Sequence, residues 1–94
     1  MIQRFCFIKL RDEAVAGRAA LAEKLRAELA AAGADAIVGV PADASAARWD
    51  LSITITCASL AAWHALSQLP AMDGVFDELA ALAEVVKAWT FAVP

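Results

Sequence analysis

Tyrosine is absent from this chain, histidine occurs once, at His64, and cysteine twice, at Cys6 and Cys57. These shortages narrow the chemistry. A lone histidine with no Cys-His or His-His spacing supplies no ligand set, so no metal is expected. His64 reads as a surface or boundary residue. The cysteines lie far apart on strand faces shared with Ile8 and Ile55, and no histidine partner stands near them in sequence. They read as buried free thiols rather than as a disulfide or a nucleophile. Glycine is also scarce. Gly33 and Gly39 fall in no G-x-G-x-x-G or G-x-x-x-x-G-K pattern, so no phosphate loop is present and no cofactor is expected.

Positive charge is thin as well. Eight Lys and Arg stand against eleven Asp and Glu, for a net charge of −3. Beyond the spaced Lys9 and Arg11 there is no basic block, and a nucleic-acid partner is not expected. Charges interrupt every apolar stretch before it reaches spanning length, which argues against a membrane. The opening Met1-Ile2-Gln3-Arg4-Phe5-Cys6-Phe7-Ile8 is strand-like, breaks at Lys9 and lacks a signal-peptide core. With free thiols, this implies a cytoplasmic setting.

What is abundant is apolar surface: 62% of the 94 residues are hydrophobic. Alanine supplies much of that, but three tryptophans and four phenylalanines do not shrink so easily. The length suits one domain, residues 1–94. Its large apolar groups exceed what one small core holds, which predicts a partner surface and a homodimer.

Residues 3–10 alternate as a first strand. Arg4, Cys6, Ile8 and Leu10 share one face, and Phe5, Phe7 and Lys9 the other. Residues 14–31 carry Val15, Ala19, Ala22, Leu25 and Leu29 at helical spacing, with Gly33 as the stop. Residues 35–40 make a second strand ended by Pro41, and 41–47 a loop. Residues 49–57 make the third strand, with Leu51, Ile53, Ile55 and Cys57 opposite Asp50, Ser52, Thr54 and Thr56. Ser59 caps a short helix through Ser67. Pro70 breaks the helical region, and Asp73 caps a last helix running to Glu84. Residues 86–93 form the final strand, with Trp89, Phe91 and Val93 on one face.

The order β-α-β-β-α-β predicts an α+β, ferredoxin-like fold with a four-stranded antiparallel-type sheet. The expected topology puts the first strand between the third and fourth, parallel to the third, with helices on one face. The other face, bearing Phe5, Phe7, Lys9, Asp50, Thr54, Trp89 and Phe91, is the expected dimer interface. Two such faces together would close a dimeric α/β barrel. Asp50 is expected to pair with Lys9 or with an arginine of the second copy.

On the helix side, Arg4 is the one cation among apolar neighbours. It suits a carboxylate or enolate-like ligand, or a rim position. Leu51 is expected on the neighbouring strand near the same end. The acids Asp12, Glu13, Asp73, Asp77, Glu78 and Glu84 read as helix-start or solvated charges. No two are placed as a catalytic pair.

Taken together, Ile2 to Asp12 with its Lys9-Leu10-Arg11 ending, Trp49-Asp50-Leu51, and Leu60 to Met72 resemble the stress-responsive A/B barrel (Dabb) family of dimeric α/β barrels. The resemblance spans nearly the whole chain. Its enzymatic branch includes a plant polyketide cyclase that closes an aromatic ring by an aldol reaction. The resemblance implies pocket positions at Arg4, Leu51, Leu66 and Met72, beside Trp63. Where the cyclase holds histidines and a tyrosine, this chain has none, so that mechanism does not carry over. Two readings stay open. One is a small homodimer of unassigned function, stress-linked by the resemblance, binding an apolar or anionic ligand at Arg4, Leu51, Trp63, Leu66 and Met72. The other is a cofactor-independent cyclase, isomerase or monooxygenase acting on an aromatic or polyketide-like compound.

Overall fold

Strict alternation along the first strand sets the two layers of the molecule. In the computed structural model, which describes residues 1–94, β1 (Ile2–Leu10) buries Ile2, Cys6, Ile8 and Leu10 and leaves Lys9 exposed. A short turn of helix, α1 (Asp12–Val15), precedes α2 (Arg18–Ala31). The single helix expected over 14–31 is thus interrupted at Ala16 and Gly17. Leu21, Leu25 and Leu29, four apart, form the buried stripe of α2. Gly33 takes φ +86, a conformation that favours glycine, and ends the helix as expected.

The chain continues through β2 (Asp35–Gly39), β3 (Leu51–Cys57), α3 (Leu60–Ser67), α4 (Pro70–Leu82) and β4 (Ala83–Ala92). The Ser59 hydroxyl accepts the Ala62 amide at 3.1 Å and caps α3 as expected. Pro70 opens α4 at its first position, where a missing amide costs nothing. Asp73 therefore lies inside the first turn and is not the cap. Strand pairing with β1 draws β4 back to Ala83, so the predicted helix end at Glu84 belongs to the strand.

The sheet order is β2-β3-β1-β4, and every neighbouring pair is antiparallel. The expectation that β1 runs parallel to β3 is corrected. The α2 crossover returns β2 in the direction of β1, and the next connection reverses the chain, so β3 must oppose β1. One chain's sheet stays open, with β2 and β4 at its edges. It does not close into a barrel alone.

All helices lie on one face. The core joins Cys6, Ile8 and Leu10 to Leu51, Ile53 and Ile55, under Leu25 and Leu29 of α2 and Met72, Val75 and Leu79 of α4. Asp50 ties this layer together at one end. Its carboxylate accepts the Leu10 amide at 2.8 Å and the Arg18 guanidinium at 3.1 Å. Lys9 pairs with Glu84 at 3.4 Å instead. The expected Asp50–Lys9 pair is thus absent, because Asp50 turns toward the end of β1 and the start of α2.

Candidate functional site

Arg4 projects from the inner face of β1, where Arg4 faces Ile55 of β3 and Thr90 of β4. Its guanidinium donates to Thr90 Oγ1 at 2.9 Å and lies over the Trp63 ring, 5.3 Å from the centroid. The indole and the hydroxyl hold the cation at the mouth of a cleft of about 200 Å³. The cleft opens between β1 and β4 on one side and α3 and α4 on the other. Cys6 and Met72 are buried beside it, while Phe76, Val86 and Ala88 add apolar wall. Ser67 and Asp73 are its other polar groups.

Arg4 has no carboxylate within ion-pair distance. One bond to Thr90 leaves most of its five N–H donors free for an oxyanion. The Cys6 thiol is pushed up from its ordinary pKa by burial, which outweighs the opposing pull of the nearby Arg4 charge. The thiol is therefore held protonated, an unreactive wall rather than a nucleophile. Because the folded chain keeps this proton and the unfolded chain releases it more readily, stability is full below the ordinary thiol pKa and falls as pH rises above it. Denaturant titrations from neutral to alkaline pH should show that fall, and Cys6→Ala should make it shallower. An unchanged slope would disprove the assignment.

The structure brings Arg4, Trp63 and Met72 to this cleft. It does not bring Leu51, which faces Ile8 and lies buried four residues along from the Arg4 register. In an antiparallel pair the start of β3 meets the end of β1, so the expectation that Leu51 neighbours Arg4 is corrected. Leu66 packs against the core from α3 and does not line the cleft. Sequence reasoning missed Ser67, Asp73, Phe76, Val86 and Ala88. The helical spacing of Met72 and Phe76 was visible, but the strand that faces them was not. His64 is exposed on α3, away from the cleft.

The opposite face of the sheet is a second feature. Gln3, Phe5, Phe7, Trp89 and Phe91 line a shallow apolar depression there. Phe5 meets Phe91 edge-on with centroids 5.7 Å apart, and Phe7 sits 5.9 Å from both Trp49 and Trp89. Trp89 remains 47% exposed, Phe91 57%, and Ile37 on β2 71%. Thr54 continues this face, paired with Phe5 on one side and Ile37 on the other. A recess of about 380 Å³ lies between Phe7, Trp49 and the β2–β3 connection. Its acid, Asp43, is engaged with the amide and hydroxyl of Ser45. No helix is long and apolar enough to cross a membrane.

No protein-family description matches this chain, and no curated protein does. Solved structures do. A dimeric ferredoxin-like protein of unknown function from Thermobifida fusca aligns with a TM-score of 0.79 at 13% identity, over 98% of this chain and 90% of that one. A dimeric protein of unknown function and ferredoxin-like fold from Bacteroides fragilis aligns with a TM-score of 0.78 at 16% identity, over 98% and 95%. A putative antibiotic biosynthesis monooxygenase from Deinococcus radiodurans aligns with a TM-score of 0.73 at 19% identity, over 100% and 93%. At such identities the shared property is the ferredoxin-like fold.

Proposed function

We propose that this chain is a homodimeric small-molecule-binding protein, paired through the aromatic sheet face, with each copy taking an apolar ligand that carries one anionic group. The observation that carries this reading is the Arg4 guanidinium, fixed by Thr90 and Trp63 at an apolar cleft and lacking a carboxylate partner. The cleft's apolar walls suit a hydrocarbon or ring, and the cation suits a carboxylate or enolate. Two solved structures of this fold are described as dimeric, and the exposed aromatics supply the surface that such pairing uses. The resemblance to stress-responsive A/B barrel proteins agrees with this arrangement.

A pair of isosteric probes tests it. 2-Naphthoate should bind and Arg4→Met should weaken it roughly tenfold, the scale of one charge-assisted bond, while neutral 2-naphthamide should be unaffected. Isothermal titration reads both. Equal naphthoate affinity in the two proteins would rule out the contact.

A second reading is a cofactor-independent cyclase, isomerase or monooxygenase acting on an aromatic or polyketide-like compound. Neighbours of this fold described as antibiotic biosynthesis monooxygenases favour it. So does the pairing of Trp63 and Phe76 walls with a cation able to hold an enolate oxygen. Beside Arg4, the cleft's ionisable groups are only Cys6 and Asp73, and burial keeps Cys6 protonated. A base for proton transfer would have to be Asp73. Turnover of a phenolic substrate that survives Asp73→Asn and Arg4→Met unchanged would exclude this site.

A further inference from the structure

Six of the eight basic side chains in this acidic protein have a partner. Arg4 bonds Thr90, Arg11 reaches the Ala83 carbonyl, and Arg18 pairs with Asp50. Lys9, Lys24 and Arg26 pair with glutamates. Arg48 and Lys87 have neither a hydrogen bond nor an ion pair. Both line one recess of about 540 Å³, together with Lys9, Trp49 and Val85.

Placement makes this grouping more than coincidence of sequence. Lys9 faces Val85 and Phe7 faces Lys87 across the β1–β4 ladder. Lys9 and Lys87 are therefore diagonal neighbours on the same outer face, about 7–8 Å apart at the backbone in such a ladder. Arg48 comes from the β2–β3 connection, and Trp49 beside it packs on Phe7. Three cations from two strands and a loop thus line one recess with Trp49, and only Glu84 answers them, through Lys9. Like charges at this spacing repel unless an anion sits among them.

We infer that this recess is a binding site for a small dianionic oxyanion ligand, with Arg48 and Lys87 as its contacts and Trp49 as its wall. The recess is separate from the Arg4 cleft, which lies on the other side of the sheet. It sits at the Lys9–Val85 end of the outer face, beyond the Phe5–Phe91 contact, which corresponds to the rim of the proposed dimer. Glu84 competes with the ligand for Lys9.

The test uses protein carrying 5-fluorotryptophan, with the Trp49 signal assigned by Trp49→Phe. Inorganic pyrophosphate and succinate represent phosphoryl and carboxylate sources. One of them should shift the Trp49 resonance saturably at low salt, and the preferred one identifies the source. Arg48→Gln and Lys87→Gln should each weaken binding at least about fivefold and flatten its salt dependence. Glu84→Gln should tighten it severalfold by freeing Lys9, a gain that damaged folding could not produce. Sedimentation of the same samples reads the dimer separately, so failure of either idea is distinguishable. No saturable Trp49 shift, or a shift equal in the Arg48→Gln/Lys87→Gln double variant, would overturn the proposal.

Discussion

Trp89→Asp is expected to leave the fold intact and weaken the proposed dimer on the order of a thousandfold, a loss of about 4 kcal/mol. Trp89 stands in the aromatic depression with Phe5, Phe7 and Phe91 and is half exposed in the single chain. An aspartate there meets water in the monomer, so folding tolerates it. In a face-to-face pair the same carboxylate would be desolvated opposite aromatic rings, at a cost of several kcal/mol. The lost indole removes, in addition, a contact of roughly 150–250 Å². Sedimentation velocity at micromolar concentration should show the parent protein at twice the chain mass and the variant at the chain mass, with equal far-ultraviolet dichroism. A parent protein that sediments as a monomer defeats the dimer. A variant that stays dimeric moves the interface away from this face.

Asp50→Ala should cost about 2–3 kcal/mol of folding stability. Most of that comes from the Leu10 amide, which loses its acceptor at a part-buried position. The Arg18 pair adds less, because that side chain is 39% exposed and water replaces its partner. For a domain of this length the change amounts to a melting-temperature drop of roughly 8–24 °C. Asp50→Asn keeps an acceptor for the Leu10 amide and should lose clearly less. Urea unfolding at one fixed protein concentration compares the three. If alanine and asparagine cost the same, the ion pair rather than the amide bond carries the effect.

These two residues show where sequence reading reached and where it stopped. Trp89 was placed on the outer face by alternation alone, and the sheet puts it there. Asp50 was placed opposite Leu51 by the same rule, but it precedes β3 and its side chain bends to the end of β1. Alternation fixes direction only while the ladder is regular. The cleft divides in the same way. Arg4, Trp63 and Met72 come together, whereas Leu51 lies at the far end of the sheet and Leu66 packs inward. Leu51 sits beside Arg4 only if β1 and β3 run parallel, and reversing one strand moves its start to the far end of the sheet.

By itself the sequence determined the periodicities, and through them the order of elements, the faces of β1 and β3, the stop at Gly33 and the cap at Ser59. These follow from backbone geometry within a few residues of each position. It also determined the missing groups: no tyrosine, one histidine, and no clustered basic run. Only the tertiary structure decided which distant residues meet. It placed Arg4 between Trp63 and Thr90, bound Asp50 to Leu10 and Arg18, and gathered Lys9, Arg48 and Lys87 around Trp49. Such meetings depend on strand direction and register, which long-range pairing sets and local spacing does not encode.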